Sequence, residues 1–115
     1  DRVIFYGASS EMEKMYMAMD VFVMPSLHEG LPVTGIEAQA SGLPCIFADT
    51  ITKEVDITST SKFLSINDDI DIWAKTIMEC KGKTRFNSLK LLKQKGYDIA
   101  DTARTVEEFY LKIKN

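Results

Sequence analysis

The sequence predicts an α/β domain: a parallel sheet with flanking helices, followed by a helical C-terminal tail. Three observations support this. Short apolar runs at Val3–Tyr6, Val21–Met24, Cys45–Ala48 and Phe63–Ile66 have the length of buried strands. Stretches with helical spacing of apolar residues lie between them and after them. Alternation of the two element types makes neighbouring strands parallel and places ligands at the carboxyl ends of the strands.

Each element has its own warrant. Val3-Ile4-Phe5-Tyr6 reads as a strand with Gly7 at its exit. Ser10 with Glu13 three residues later fits a capping box, and Met12, Tyr16 and Met19 share one face of the helix that follows. The strand Val21–Met24 is stopped by Pro25. Thr34 with Glu37 fits a second capping box, which predicts a helix over Thr34–Ser41, with Gly42 at its C-cap and Pro44 barring continuation. Cys45–Ala48 is the next strand. Asp49–Ser61 is a polar loop in which Glu54–Ile57 suits a short helical turn. After Phe63–Ile66, Asn67, Asp68 and Asp69 offer N-cap oxygens to a helix with Ile70, Trp73, Ile77 and Cys80 inward and Gly82 at its end. Two more helices are expected, near Thr84–Lys95 and from about Asp101.

Composition narrows the function. A length of 115 residues and 45% hydrophobic content suit one domain, 1–115, with an ordinary core. No apolar stretch reaches membrane-spanning length and no signal-peptide pattern opens the chain. Cys45 and Cys80 read as reduced packing residues of a cytosolic protein. Net charge is −3, unevenly spread: residues 1–80 hold 13 acidic and 5 basic side chains, residues 81–115 hold 4 and 9. The acid-free span Lys81–Lys95 reads first as a solvated helical face, and second as a contact for anionic lipid headgroups. Nucleic acid ranks a poor third and is not expected as a partner, because no recognised binding motif or aromatic stacking pattern accompanies the charge.

The motif search is mostly negative and therefore selective. The six glycines form neither Gly-x-Gly-x-x-Gly nor a P-loop. Ser26 and His28 lie close together without a nucleophile elbow. One histidine and no close cysteine pair argue against a metal site, and no resident cofactor is expected. The positive signal is the run Pro25-Ser26-Leu27-His28-Glu29-Gly30-Leu31-Pro32-Val33-Thr34-Gly35-Ile36-Glu37-Ala38. It places Glu29 in a strand-to-helix loop and Glu37 in the first helical turn. A helix N-terminus can hold a phosphate, and carboxylates beside it can accept hydrogen bonds from sugar hydroxyls. Phosphate plus sugar points to a nucleotide-sugar. Taken singly, Glu37 is equally well a capping-box partner of Thr34, and Glu29 a solvated loop residue.

As a longer pattern, these residues resemble retaining GT-B glycosyltransferases of the group 1 type, in the half that binds the nucleotide-sugar. That family shows an apolar strand ending in Asp-x-x-x-x-Pro-Ser, then Glu-Gly-x-x-x-x-x-x-Glu-Ala and a small-Gly-x-Pro turn. Here these are Asp20 to Ser26, Glu29-Gly30 to Glu37-Ala38, and Ser41-Gly42-Leu43-Pro44. Ile51–Val55, Gly96–Ile99 and Tyr110 look like the subset that builds capsular or exopolysaccharide. The resemblance covers nearly the whole chain.

The resemblance implies a Rossmann-like, partial GT-B C-terminal domain and a set of residue roles. Glu29 would bond a donor-sugar hydroxyl and serve as the catalytic carboxylate, and Glu37 would bond the ribose hydroxyls. Amides of Gly30, Leu31, Val33 and Thr34 would meet the sugar and the diphosphate. His28 would touch the ligand from the loop. Pro32 departs from the glycine that many members carry and has no N–H to donate. The donor would be a UDP- or GDP-sugar, transferred to a polysaccharide or lipid-linked acceptor in the cytoplasm, at the inner face of the membrane. The family's Gly-Arg loop, its following Lys and its acceptor half match nothing present, so the chain is expected to be the donor-binding part of a longer enzyme and inactive alone. Removal of the first two strands of the 3-2-1-4-5-6 order would either bring Val3–Tyr6 beside Val21–Met24 or leave an edge for self-association. The alternatives are a noncatalytic nucleotide-sugar binding module, and a GT-B-fold epimerase or phosphorylase.

Overall fold

A computed structural model describes residues 2–85. Its centre is a three-stranded parallel sheet in the order β1-β2-β3, with β1 at Phe22–Met24, β2 at Cys45–Ala48 and β3 at Lys62–Leu64. Helix α1 (Met12–Ala18) precedes the sheet, α2 (Val33–Ala40) joins β1 to β2, and α3 (Ile70–Glu79) follows β3. This is the expected Rossmann-like α/β arrangement. The helices expected near Thr84–Lys95 and from Asp101 lie outside the described residues, apart from Thr84 and Arg85.

All four residues of β2 are buried, as a central parallel strand requires, whereas β1 and β3 are only partly covered. Met24, Phe47 and Phe63 align across the sheet by register. Around them the rings of Tyr16, Phe22, Phe47 and Phe63 follow one another at centroid distances of 6.4, 6.2 and 5.6 Å. Helix α2 packs on this aromatic face through Gly35. A Cβ at Gly35 would stand 2.7 Å from the Phe47 ring and 3.1 Å from the Val55 side chain, so only glycine lets the helix come this close. Lys62, on the opposite face, meets Glu79 of α3 at 3.1 Å.

Helix α2 ends as its sequence predicts. Gly42 takes φ +81°, the Leu43 amide donates to the Ala38 carbonyl and the Gly42 amide to that of Gln39, a Schellman closure that turns the chain into β2. Helix α3 starts on Asp69, whose carboxylate accepts the Asp71 amide.

Several expectations are corrected. Val3–Tyr6 forms no strand: its side chains are 65–97% exposed, and no described strand pairs with the outer edge of β1. An apolar run without a neighbour to complete its ladder has no reason to be extended. Ser10 does not cap α1; the N-cap is Glu11, whose amide donates to Ser9 Oγ. Strand β3 stops at Leu64 rather than Ile66. The Ser65 amide donates to Asp68 Oδ2, and the Asn67 amide to Ser65 Oγ, so the chain leaves the ladder for a turn. Ile70 is 80% exposed, since the first residue after the Asp69 cap finds no covering element; the buried stripe begins at Trp73, which donates to the Ser65 carbonyl.

Two polar side chains tie these pieces together. Buried Gln39 donates to the Gly35 and Val55 carbonyls and accepts from the Ile57 and Thr58 amides and the Thr58 hydroxyl. Arg85 spreads its guanidinium over the Ser41, Tyr16, Met17 and Met19 carbonyls at 2.8–2.9 Å, capping the C-terminal ends of α1 and α2 together. Gln39→Leu strands several buried backbone groups at about 1–3 kcal/mol each, so a loss of about 3 kcal/mol or more is expected in urea denaturation.

Candidate functional site

The strand-to-helix loop carrying the sequence signal emerges from the carboxyl end of β1. It rises through Pro25 and partly buried Ser26, exposes Leu27, His28, Glu29, Gly30 and Leu31, and returns at buried Pro32. The Ser26 carbonyl accepts a 2.6 Å hydrogen bond from Thr50 Oγ1, which fixes the base of this loop to the loop after β2. Both loops are therefore held at one end of the sheet.

Helix α2 begins two residues earlier than its capping-box pattern suggests. Pro32 is the N-cap, with extended ψ of 108°, and its carbonyl receives the Gly35 and Ile36 amides at 3.1 and 3.3 Å. Proline pre-sets φ near the helical value, which favours nucleation at this point over one at Thr34. The Thr34–Glu37 capping box is thus not formed: Thr34 lies inside the first turn, and Glu37 in the second turn rather than the first. No side chain caps the helix and no acid occupies its first turn. The Val33 and Thr34 amides bond to nothing among the described residues. The positive end of α2 is left open toward the Glu29 loop.

The two carboxylates differ in setting. Glu29 is exposed, with no protein hydrogen-bond partner among the described residues. Glu37 is half-buried beside Tyr16. Four residues from Val33 and three from Thr34, it shares their helix face, and helical side chains lean toward the N-terminus. Burial raises its pKa above the ordinary 4.5, and the neighbouring Tyr16 hydroxyl offsets part of that rise. Tyr16 was legible only as a core aromatic; a buried phenol's need for a partner was the available clue.

His28, Glu29, Gly30, Leu31, Val33, Thr34 and Glu37 thus fall in one loop and the helix face it enters. The loop and the helix it enters carry two amides without a described partner, one exposed carboxylate and one half-buried carboxylate. Gly30 has open space around the position of a Cβ, so its exposure and not close packing characterises it. Among the described residues no group of three or more His, Cys, Asp or Glu side chains is placed to hold a metal. Cys45 and Cys80 are both buried free thiols, and burial, with Asp56 and Cys80 adding to it, pushes Cys45 up to about 12. A separate cleft of about 270 Å³ lies at the amino ends of the strands, between Asp20, Pro44, Lys83 and Arg85, remote from the Glu29 loop. No described helix is long and apolar enough to cross a membrane.

Comparison with known proteins gives these features a context. Residues 1–81 match the family described as Glycosyl transferases group 1. The EpsF protein of Bacillus subtilis, named as a glycosyltransferase, is 45% identical over 100 residues, covering 84% of this chain and 26% of that protein. A UDP-Gal:alpha-D-GlcNAc-diphosphoundecaprenol alpha-1,3-galactosyltransferase of Escherichia coli is 44% identical over 48 residues, covering 42% of this chain and 12% of its own length. The lipopolysaccharide core biosynthesis mannosyltransferase LpsB of Rhizobium meliloti is 39% identical over 49 residues, covering 43% and 14%. The chain spans about a quarter or less of the length of these relatives. No solved structure gives a significant match.

The raised pKa of Glu37 has a signed consequence. A carboxylate desolvated by folding costs stability while ionised, and that cost vanishes as pH falls through its raised folded value. Glu37→Gln is expected to melt at a higher temperature than the wild type at pH 7. The gap should narrow as the pH is lowered toward 4.5. Thermal melts across that range check it.

Proposed function

Because this chain belongs to the glycosyl transferases group 1 family, we propose that it binds the nucleotide-diphosphate sugar for a retaining glycosyl transfer. The observation that carries the reading is the uncapped N-terminus of α2, with Glu29 on the loop before it and Glu37 on the helix face behind it. The diphosphate meets the open Val33 and Thr34 amides and the positive helix end. Gly30 and Leu31 supply further amides from the loop. Pro32 supplies none, so the contact is split around it.

Glu29, free of protein partners, accepts a hydroxyl of the donor sugar and places the anomeric carbon; it is the catalytic carboxylate of this reading. Glu37, half-buried beside Tyr16, accepts the ribose hydroxyls. His28 borders the sugar. Charge on the departing diphosphate is taken up by amides and cationic side chains, with no resident metal or cofactor invoked.

In a protein longer than this chain, the C-terminal position, an acceptor-binding part and a polysaccharide or lipid-linked acceptor complete the proposal. Support comes from the relatives: the Escherichia coli protein is named for UDP-Gal and a diphosphoundecaprenol acceptor, and a Campylobacter jejuni relative, 38% identical over 47 residues, for another. Such an acceptor would put the reaction at the inner membrane face, where the basic residues from Lys81 onward other than Arg85 would meet anionic headgroups.

The test is donor use by the complete enzyme across a panel of nucleotide-sugars, repeated with Glu29→Ala and Glu37→Ala. Glu29→Ala is expected to lower turnover by about 100-fold, the scale of a misplaced reacting centre. Glu37→Ala is expected to raise the donor KM by about tenfold, as loss of a charged hydrogen bond predicts. Undiminished transfer by both variants would overturn the assignment.

A further inference from the structure

A departing diphosphate carries more charge than two amides balance, and a cation near the entrance of α2 would complete the site. Three of the described cations are committed elsewhere. Lys14 bonds to Glu11, Lys62 to Glu79, and Arg85 to four carbonyls at the amino end of the sheet. Lys53 is different. It opens a 3₁₀ turn, Lys53–Val55, five residues beyond the carboxyl end of β2, on the side of the sheet where the Glu29 loop stands.

Three contacts hold that turn in place. Thr50 Oγ1 binds the Ser26 carbonyl at the base of the Glu29 loop at 2.6 Å. Thr52 Oγ1 accepts the Glu54 amide and caps the turn. Val55 packs on Gly35, the third residue of α2, and its carbonyl accepts from Gln39 at 2.6 Å. Lys53 is therefore two residues from a direct contact with the first turn of α2. Its ammonium rests 3.6 Å from the centroid of the Phe63 ring and has no carboxylate partner among the described residues. An aromatic face steers an ammonium without neutralising it, and the flexible stem can exchange the ring for an anion.

We propose that Lys53 binds the diphosphate of the nucleotide-sugar, on the side of the α2 entrance away from Glu29. This rests on the donor-binding reading above. The reading assigns the lysine a phosphate partner and leaves base recognition to other groups.

The test is calorimetric binding of UDP and GDP to the full chain, with uridine and guanosine as the phosphate-free arm. Lys53→Met keeps an apolar stem against Phe63, and Lys53→Arg keeps the charge. The expected result for Lys53→Met is an affinity for UDP or GDP about tenfold or more below wild type, with nucleoside affinity and melting temperature unchanged; Lys53→Arg recovers most of the loss. Diphosphate affinity equal to wild type in Lys53→Met overturns the role of Lys53 and leaves the donor reading standing. A parallel loss of nucleoside affinity also overturns it, since the residue would then be only structural. Failure of the wild type to bind either nucleotide overturns both readings.

Discussion

The buried carboxamide of Gln39 is the interaction on which the rest of the structure depends. Buried Ile36 and Ala38, the close approach at Gly35 and the Arg85 bond to the Ser41 carbonyl hold helix α2 on the sheet, but none of them ties it to the chain beyond β2 with comparable direction. Gln39 adds bonds to Val55, Ile57 and Thr58, so the chain that crosses from β2 to β3 is clamped to the helix. A buried amide with its oxygen and nitrogen both engaged is directional where apolar packing is not. Because the same helix supplies the open amides at its N-terminus, a clamp in its last turn decides where an anion would be held at its first.

Electrostatics divide the domain into two ends. At the amino end of the sheet, Arg85 satisfies carbonyls from α1 and α2, where helix dipoles place negative charge. At the carboxyl end the opposite pole of α2 is left unsatisfied, and a half-buried Glu37 is held there against its own desolvation. A fold selected for stability alone would cap the first and relieve the second. Leaving both in place suits a ligand that supplies the missing anion and the missing hydroxyl donors.

Local chemistry was legible where it acts within a few residues. Gly42 and Pro44 forecast the end of α2, Cys45–Ala48 the central strand, and Asn67-Asp68-Asp69 a cap for α3, which Asp69 supplies. It misled where two local signals competed. Ser10–Glu13 and Thr34–Glu37 both match a capping box, yet Glu11 and Pro32 start the helices, because tertiary position and proline geometry outweigh a motif worth about 1 kcal/mol. Val3–Tyr6 has the composition of a strand, and composition cannot supply a partner strand. Long-range ties were invisible: Gln39 reaches residues 16–19 positions away, and Arg85 reaches Tyr16 across 69. Arg85 read as one more charge of a solvated basic face, and it is instead the cap of two helices. The candidate residues fall close together because the loop and the first two turns of α2 that carry them are contiguous in sequence; the nearness of Tyr16 to Glu37 was not legible.

The central claim is that the entrance of α2 receives a nucleoside diphosphate. Amide chemical-shift titration of the full chain with UDP and GDP addresses it most directly. The account predicts that the largest shifts fall at Val33, Thr34 and the Glu29–Leu31 loop, while Asp20, Leu43 and Lys83 around the opposite cleft stay still. Shifts centred on that cleft, or none at the α2 entrance at saturating nucleotide, would contradict it.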